Sequence, residues 1–342
     1  RLPAGTAAKP LEPGTAARIF TGAPVPQGAD TVVMQEDTEA VGGNVHAVQF
    51  HHVPAVGQWI RRAGEDVTRG AVVLARGERL TPASLGLAAS IGSARLDVVV
   101  RARVALFSTG DELVMPGDIE PQAMPPGSIY NSNRFFLRAL LQRFGCEVSD
   151  LGIVPDRREA TVAALKSAAD HHDLILTSGG VSVGEEDHIK PAVEQLGRLD
   201  LWQIAVKPGK PFVHGIVRRD AGAGPDAGRP CHFIGLPGNP VSSYLAFLLL
   251  VRPFLLRLQG ARPASPQVIR LPAHFSVSKV DRRREFLRAR RNAAGGLDLF
   301  PNQSSGVLTS AVWGDGLVDH PAGATIAHGD LVDFIPFSEL LA

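Results

Sequence analysis

The 342-residue chain reads as a multidomain α/β and β protein: a central doubly wound α/β domain with a mainly parallel sheet, flanked by β-rich units. Three observations predict this. From Arg103 onward, apolar runs (Val104–Phe107, Val148–Ile153, Leu174–Leu176, Leu199–Val206) alternate with helical stretches at Asn133–Phe144, Arg158–Ala169 and Asp187–Leu196. On either side of this region, short apolar runs are instead punctuated by Gly, Pro and Asp. The length also exceeds what one core ordinarily organises. The expected division is a β-rich domain over 1–62, a mixed α/β connecting domain over 63–101, the α/β domain over 102–260 and a C-terminal β-barrel-like domain over 261–342.

Taken in order, Ala17–Phe20, Thr31–Met34 and Asn44–Val48 are strand-like. Between the first two lies Thr21-Gly-Ala-Pro-Val-Pro26, a loop that Pro24 and Pro26 stiffen by fixing φ. A stiff loop holds a hydroxyl in place at low entropic cost, so Thr21 is a candidate ligand contact; it reads equally well as a rigid turn. Arg61-Arg-Ala-Gly-Glu-Asp66 is either a surface ion-pair cluster or an anion clamp, since guanidinium matches phosphate geometry. Thr81-Pro82 is an N-cap followed by Pro at the first helical position, starting a helix through about Ile91.

In the α/β domain the strand ends carry the chemistry, because ligands in such folds bind beyond the carboxyl ends of the strands. The first strand runs into Ser108-Thr-Gly-Asp-Glu112 and the second into Val154-Pro-Asp156. The third runs into Thr177-Ser-Gly-Gly-Val-Ser-Val-Gly-Glu-Glu-Asp187. There Ser178, Gly179, Gly180, Ser182 and Gly184 form a candidate phosphate cradle, in which missing Cβ atoms let a ligand approach the backbone. Lys207-Pro-Gly-Lys-Pro211 and Gly235-Leu-Pro-Gly-Asn-Pro240 follow. Acids at separate strand ends jointly suit a divalent cation, and lysines in a proline-stiffened loop suit an anion. One such loop is an ordinary strand-to-helix turn; the convergence points to a phosphorylated ligand and an oxyanion.

Residues 219–230 read as the tip of a hairpin, Ala261–Pro266 as a linker, and His274–Val280, Phe286–Arg290 and Leu331–Ile335 as strands. In Asp281-Arg-Arg-Arg-Glu-Phe-Leu-Arg-Ala-Arg-Arg291 arginine alternates with apolar residues, the pattern of a strand's solvent face. His51-His52 and His171-His172 lack a metal-ligand companion at helical spacing and are expected at the surface.

Composition bounds the rest. Hydrophobic residues make up 44% and charged residues 20%, and the net charge of +1 gives no argument for nucleic acid or an anionic membrane as partner. The most apolar stretch, Tyr244–Val251, is interrupted by Arg252 and Pro253 and is too short to span a bilayer. Two cysteines, Cys146 and Cys231, exclude a disulfide framework and suit a reducing, cytoplasmic location. The chain opens on Arg1-Leu-Pro-Ala-Gly rather than Met, and missing N-terminal sequence is expected.

Six segments in order resemble a known family: Arg18-Ile-Phe-Thr-Gly-Ala-Pro-Val-Pro26, Arg62-Ala-Gly-Glu-Asp66, Ser108-Thr-Gly-Asp-Glu-Leu113, Ser178-Gly-Gly-Val-Ser-Val-Gly184, Lys207-Pro-Gly-Lys-Pro211 and Gly235-Leu-Pro-Gly-Asn-Pro-Val-Ser242. They are similar to the molybdopterin molybdenumtransferases, the MoeA family, which is related to the E domain of gephyrin. The resemblance implies an elongated homodimer of four-domain subunits that inserts molybdate into adenylylated molybdopterin with Mg2+, releasing AMP and molybdenum cofactor. It places the family's important residues on Thr21, Asp66, Glu112, Asp156, Asp187, Lys207, Pro237, Pro240 and Ser305, with Lys210 as a further anion contact and Asp187 and Glu112 as the metal-side acids. Some relatives carry a second lysine where Gln203 stands, and the family's N-terminal Ser-Ala-Met-Asp-Gly-Tyr-Ala segment is absent. Site groups from a second subunit are expected. A molybdopterin adenylyltransferase and molybdoenzyme-maturation proteins are possible partners. The competing readings are a gephyrin-like dimeric scaffold and the adenylyltransferase of the preceding step. The latter is typically a lone α/β domain, whereas a pure scaffold has no need of a converging acid–lysine cluster.

Overall fold

The structure, a computed structural model, describes residues 1–41, 47–181, 188–220, 226, 228–262 and 265–342. The chain forms two compact units, Arg1–Ala75 with Gly86–Ile91 and Arg76–Leu85 with Gly92–Ala342.

In the smaller unit β1 (Thr38–Ala40) pairs antiparallel with β2 (Val48–Phe50). The expected strands Ala17–Phe20 and Thr31–Met34 do not form ladders; Ile19 makes one bridge, to Leu2. An apolar run becomes a strand only where a neighbouring backbone takes up its N–H and C=O groups, and the sequence does not display that neighbour. The helix α1 (Pro82–Ser90) starts as expected. The Thr81 hydroxyl accepts the Ser84 N–H at 3.1 Å, and the Ser84 hydroxyl accepts the Thr81 N–H at 2.6 Å, a reciprocal cap that satisfies two orphan donors.

The larger unit contains β3 (Arg103–Thr109), β4 (Leu113–Val114), β5 (Ile129–Tyr130), β6 (Glu147–Val154), β7 (Leu174–Ser178), β8 (Gly197–Gln203), β9 (Val206–Lys207), β10 (Pro211–Val217) and β11 (Cys231–Leu236). Its main sheet has the order β6-β3-β7-β11-β10-β8. The first four strands are mutually parallel and β10 is antiparallel to both neighbours, so the sheet is mainly parallel; β10 and β11 flank the hairpin tip expected at 219–230, of which 221–225 and 227 lie outside the described residues. The central strand β7 is buried along its whole length, as a strand covered on both faces must be. Helices α2 (Asn133–Arg143) and α5 (Pro240–Leu258) cover one face, packing Leu137, Leu141, Leu245 and Phe247 against Leu106 and Leu176. Helices α3 (Arg158–His171) and α4 (Ile189–Leu196) cover the other, with Leu165 and Val193 against Ile175 and Phe233.

Two expectations change here. The run Leu199–Val206 is not one strand: β8 stays in the main sheet, while β9 leaves it to pair in parallel with β13 of a second sheet. The apolar stretch Tyr244–Val251, expected to be too short to span a bilayer, lies within a longer helix. The helix is continuous over Pro240–Leu258, 19 residues, because Pro253 sits in the first turn of its last segment, where its missing N–H is tolerated. By length and composition this helix could cross a membrane; 56% of its apolar window is buried inside the fold, against the sheet.

The second sheet is built from β12 (Ile269–Pro272), β13 (Arg284–Arg291), β14 (Leu297–Leu299), β15 (Gly316–His320) and β16 (Leu331–Pro336), in the order β12-β16-β15-β13-β14. The expected strand His274–Val280 is absent as a ladder; Val277 makes a single bridge to Ile326. One face holds a separate core with Leu287, Val318 and Phe334, and the other joins the main core through Phe286, Leu317 and Ile335. Strand β13 is therefore covered on both faces, which overturns the solvent-face reading of its arginines at one position. Arg284, Arg290 and Arg291 are exposed, whereas Arg288 is 0% exposed and the largest fully buried side chain.

Candidate ligand-binding cleft

A cleft of about 1020 Å³ opens at the carboxyl ends of the parallel strands, inside the larger unit. The loop after β3 forms one wall. Gly110 has φ +138°, and a Cβ there would overlap the Glu112 carboxylate, so the glycine lets that carboxylate fold back across the strand end. Asp156, beyond β6, lines the same space, and its backbone N–H donates to Asp111 Oδ1 at 3.3 Å.

The turn after β7 contributes Ser178, Gly179 and Gly180. Both glycines have positive φ, +90° and +64°. A Cβ on Gly179 would lie 2.5 Å from the Thr109 carbonyl oxygen, and one on Gly180 would lie 2.5 Å from Thr109 Oγ1 and 2.9 Å from Ile189 Cγ1. This corrects the reason for the glycines. Their open side is filled by β3 and α4 rather than left for a ligand, and they are needed so that the turn can close against Thr109.

Asn133, the first residue of α2, ties this turn to the loop after β11. Its Nδ2 donates to Ser178 Oγ at 2.8 Å and to the Gly238 carbonyl at 2.7 Å, and it is 7% exposed. Its neighbour Asn131 accepts the Arg134 N–H at 3.3 Å through Oδ1, while its buried Nδ2 has no partner among the described residues. Thr109 Oγ1 is likewise buried without one. Both line the cleft, so buried donors face a polar space rather than each other.

The remaining wall is cationic but largely paired. Lys207 Nζ lies 2.9 Å from Glu285 and 3.7 Å from Asp281, because β9 sets Lys207 beside Glu285 in register with β13. Arg283 donates through Nε and Nη2 to Asp281 at 3.2 and 3.1 Å, holding that carboxyl well below its usual range. Lys210 is exposed on the same wall. The lip Gln303–Gly306 closes the cleft, and the Ser305 carbonyl accepts the Val241 N–H at 2.9 Å at the start of α5. The first residues of α2 and α5, Asn133 and Pro240, both line the cleft, so two helix N-termini add partial positive charge there.

Of the expected residues, Glu112, Asp156, Ser178, Gly179, Gly180, Lys207, Lys210, Pro237, Pro240 and Ser305 line this one cleft. Thr21 and Asp66 belong to the smaller unit, where both are exposed. Ser182, Gly184 and Asp187 lie outside the described residues. The sequence reading missed Asn131, Asn133 and Arg283. The signal for the asparagines was Asn131-Ser-Asn133 at a helix start, and for Arg283 an acid two residues before it.

Among the described residues no three acidic, histidine or cysteine side chains form a metal-ligand group. The oxygen donors present, the Glu112 and Asp156 carboxylates with backbone carbonyls, fit a hard cation of the magnesium kind, which takes one or two carboxylates and completes its shell with water and substrate phosphate.

Three family models match in chain order: residues 2–92 the "MoeA N-terminal region (domain I and II)", residues 105–257 the "Probable molybdopterin binding domain" and residues 270–337 the "MoeA C-terminal region (domain IV)". A relative named molybdopterin molybdenumtransferase from Synechococcus elongatus is 36% identical over 315 residues, 91% of this chain and 73% of the relative. The chain belongs to the MoeA family. A second molybdopterin molybdenumtransferase, from Haemophilus influenzae, is 42% identical over 263 residues, 77% of this chain; the chain spans 60% of that relative's length. The solved MoeA protein of Pyrococcus horikoshii shares the fold with a TM-score of 0.72 at 30% identity, covering 98% of this chain and 79% of its own. The six motifs read as MoeA-like fall in the first two of the three matched regions, and ten of the expected site residues line one cleft.

Proposed function

We propose that this MoeA-family chain is a molybdopterin molybdenumtransferase, inserting molybdate into adenylylated molybdopterin and releasing AMP. One observation carries the reading: the acids Glu112 and Asp156, the lysines Lys207 and Lys210 and the glycine turn at Ser178–Gly180 come from separate strand ends and line a single cleft. That is the equipment for a phosphorylated, anionic substrate pair. In this reading Lys210 and Arg283 attract the oxyanion, Lys207 holds the wall together while lending it charge, and the polar groups of the turn and Asn131 orient the phosphates. Magnesium, when bound, supplies charge neutralisation on those phosphates, with Glu112, Asp156 and Asp187 as the acids that would hold it. The dithiolene chemistry belongs to the substrate, so the protein's share is orientation and electrostatics.

We extend the proposal to Thr21 and Asp66 as site residues, to a cytoplasmic homodimer whose subunits complete each other's sites, and to the four-domain division at 62, 101 and 260. The description of the matched N-terminal region as domains I and II, and of the C-terminal region as domain IV, supports that division. Matches on both sides of the α/β domain disfavour the lone-domain adenylyltransferase.

The test is purified protein with molybdopterin-AMP, molybdate and magnesium, following AMP release. AMP above background is expected, and none would sink the transferase reading in favour of a scaffold. Asp187→Asn is expected to cut AMP release at least about tenfold while leaving the sedimentation coefficient unchanged; an unaltered rate would remove Asp187 from the site.

A further inference from the structure

Residues 110–132, between β3 and α2, supply one stretch of the cleft wall. Within them β4 and β5 pair in parallel, with Leu113 opposite Ile129 and Val114 opposite Tyr130. Two-residue strands have little stability of their own, and side-chain bonding reinforces this pair. The Ile129 N–H donates to the Glu112 carbonyl and the Asn131 N–H to the Val114 carbonyl, both at 2.9 Å. The Tyr130 hydroxyl donates to the Ile119 carbonyl at 2.7 Å, tying β5 to the crossover that joins the two strands.

Side chains alternate along a strand, and register partners share a face. Leu113 and Ile129 therefore stand side by side, and both line the cleft, whereas Val114 does not. Tyr130 borders the cleft too, but its hydroxyl is committed to the crossover. Ile129 is 56% exposed, more than any other large aliphatic side chain along the cleft; Val181, by contrast, is 2% exposed. A single exposed isoleucine on an outer surface needs no explanation. This one forms an apolar ledge inside a cleft lined otherwise mainly by glycine, proline and polar side chains. Ligand pockets combine such apolar area with a few placed polar groups.

The nearest polar group is Asn131, two residues on, whose Nδ2 is buried without a partner among the described residues. Two residues of chain reach at most about 7 Å, so the ledge lies within a sugar's span of the donor assigned to the phosphates. A flat ring attached close to a phosphate matches that spacing, with its face on aliphatic carbon and its phosphate at the amide.

We propose that Leu113 and Ile129 form the ledge on which a fused nitrogen heterocycle of the substrate packs, either the adenine or the pterin of the adenylylated pterin. The inference rests on the transferase reading for the rings on offer. Ile129 is then a binding residue that selects for the ring and takes no part in the chemistry.

The test is calorimetry on the full chain with AMP, molybdopterin and ribose 5-phosphate as separate probes, for wild type, Ile129→Thr and Ile129→Leu. The Thr variant keeps the β-branched shape that suits β5 while removing apolar area. It is expected to weaken AMP or molybdopterin by at least about fivefold, and to leave ribose 5-phosphate, which has no base, within about twofold. The Leu variant is expected to stay within about threefold of wild type. A loss with AMP marks adenine as the occupant, and a loss with molybdopterin marks the pterin. With molybdopterin-AMP, the Thr variant is expected to raise KM with kcat within about twofold. Unchanged affinity for both ring ligands overturns the proposal, as does an equal loss with ribose 5-phosphate. A changed sedimentation coefficient for the Thr variant would put Ile129 in a subunit contact and also overturn it. A wild-type chain that binds AMP or molybdopterin yet releases no AMP from molybdopterin-AMP defeats the transferase reading alone, whereas one that binds neither defeats this inference.

Discussion

At the scale of single residues, close packing governs what the cleft tolerates. Gly180 is expected to accept no side chain. Gly180→Ala places a Cβ against Thr109 and Ile189 at a positive φ, and equilibrium urea unfolding is expected to show a loss of about 2 kcal/mol or more. Asn133→Ala would strip Ser178 and Gly238 of a shared donor; a loss of about 1–3 kcal/mol in the same measurement is the expected outcome, since the Ser178 hydroxyl stays buried. Burial is the main influence on the two cysteines, pushing the Cys146 thiol up to about 11 and the Cys231 thiol, which also feels Arg219 and Asp173, up to about 12. Neither thiolate is populated at pH 8, so an aromatic disulfide reagent is expected to titrate no thiol in the native protein and both after denaturation. Rapid native labelling of Cys231 would contradict the packing around it.

At the scale of elements, sequence pattern and tertiary partner had different shares. Helices α2 and α3 lie where the 3.6-residue periodicity put them, because an amphipathic stripe is encoded locally. Strands were legible where they are buried on both faces, as with β3 and β7, and illegible where pairing is decided by a distant segment. Nothing in Ile204-Ala-Val-Lys207 says that β9 will abandon its own sheet for β13. That exchange is what brings Lys207 to Glu285 and pairs their charges in the cleft wall. Helix α5 runs on through Arg252 and Pro253, the residues that had bounded the apolar stretch. A proline is harmless where the carbonyl four residues back has another use, and here the preceding segment Phe247–Val251 is π-helical. Phe247, at 0% exposure in that segment, anchors the helix on the sheet. Phe247→Ala is expected to cost about 3–5 kcal/mol by calorimetry or denaturant titration.

At the scale of the whole molecule, acid stability follows from histidines packed into the larger unit. Burial lowers the pKa of His172, His214 and His232 below the ordinary value of 6.5, and His232 stacks edge-on against Phe254 with its Nδ1 unpartnered among the described residues. As pH falls, the unfolded chain binds these protons first. The stabilisation is therefore complete above the unfolded pKa and is lost as pH falls through it toward the lower folded values, at a slope of up to about 1.4 kcal/mol per pH unit for each histidine. Thermal midpoints are expected to drop between pH 7.5 and 5.5, and His232→Phe should flatten that slope; an unchanged slope would remove His232 from the account.

The chain by itself determined which residue types would carry the chemistry, because the glycine, acid and lysine loops at strand ends are local sequences and the fold rule sends strand ends to one edge. Tertiary structure alone decided their company. It turned Gly179 and Gly180 from a ligand's approach into a packing requirement and paired Lys207 with Glu285. It also took Arg288 out of solvent, since burial and counter-ions depend on what a second sheet brings from 80 or so residues away.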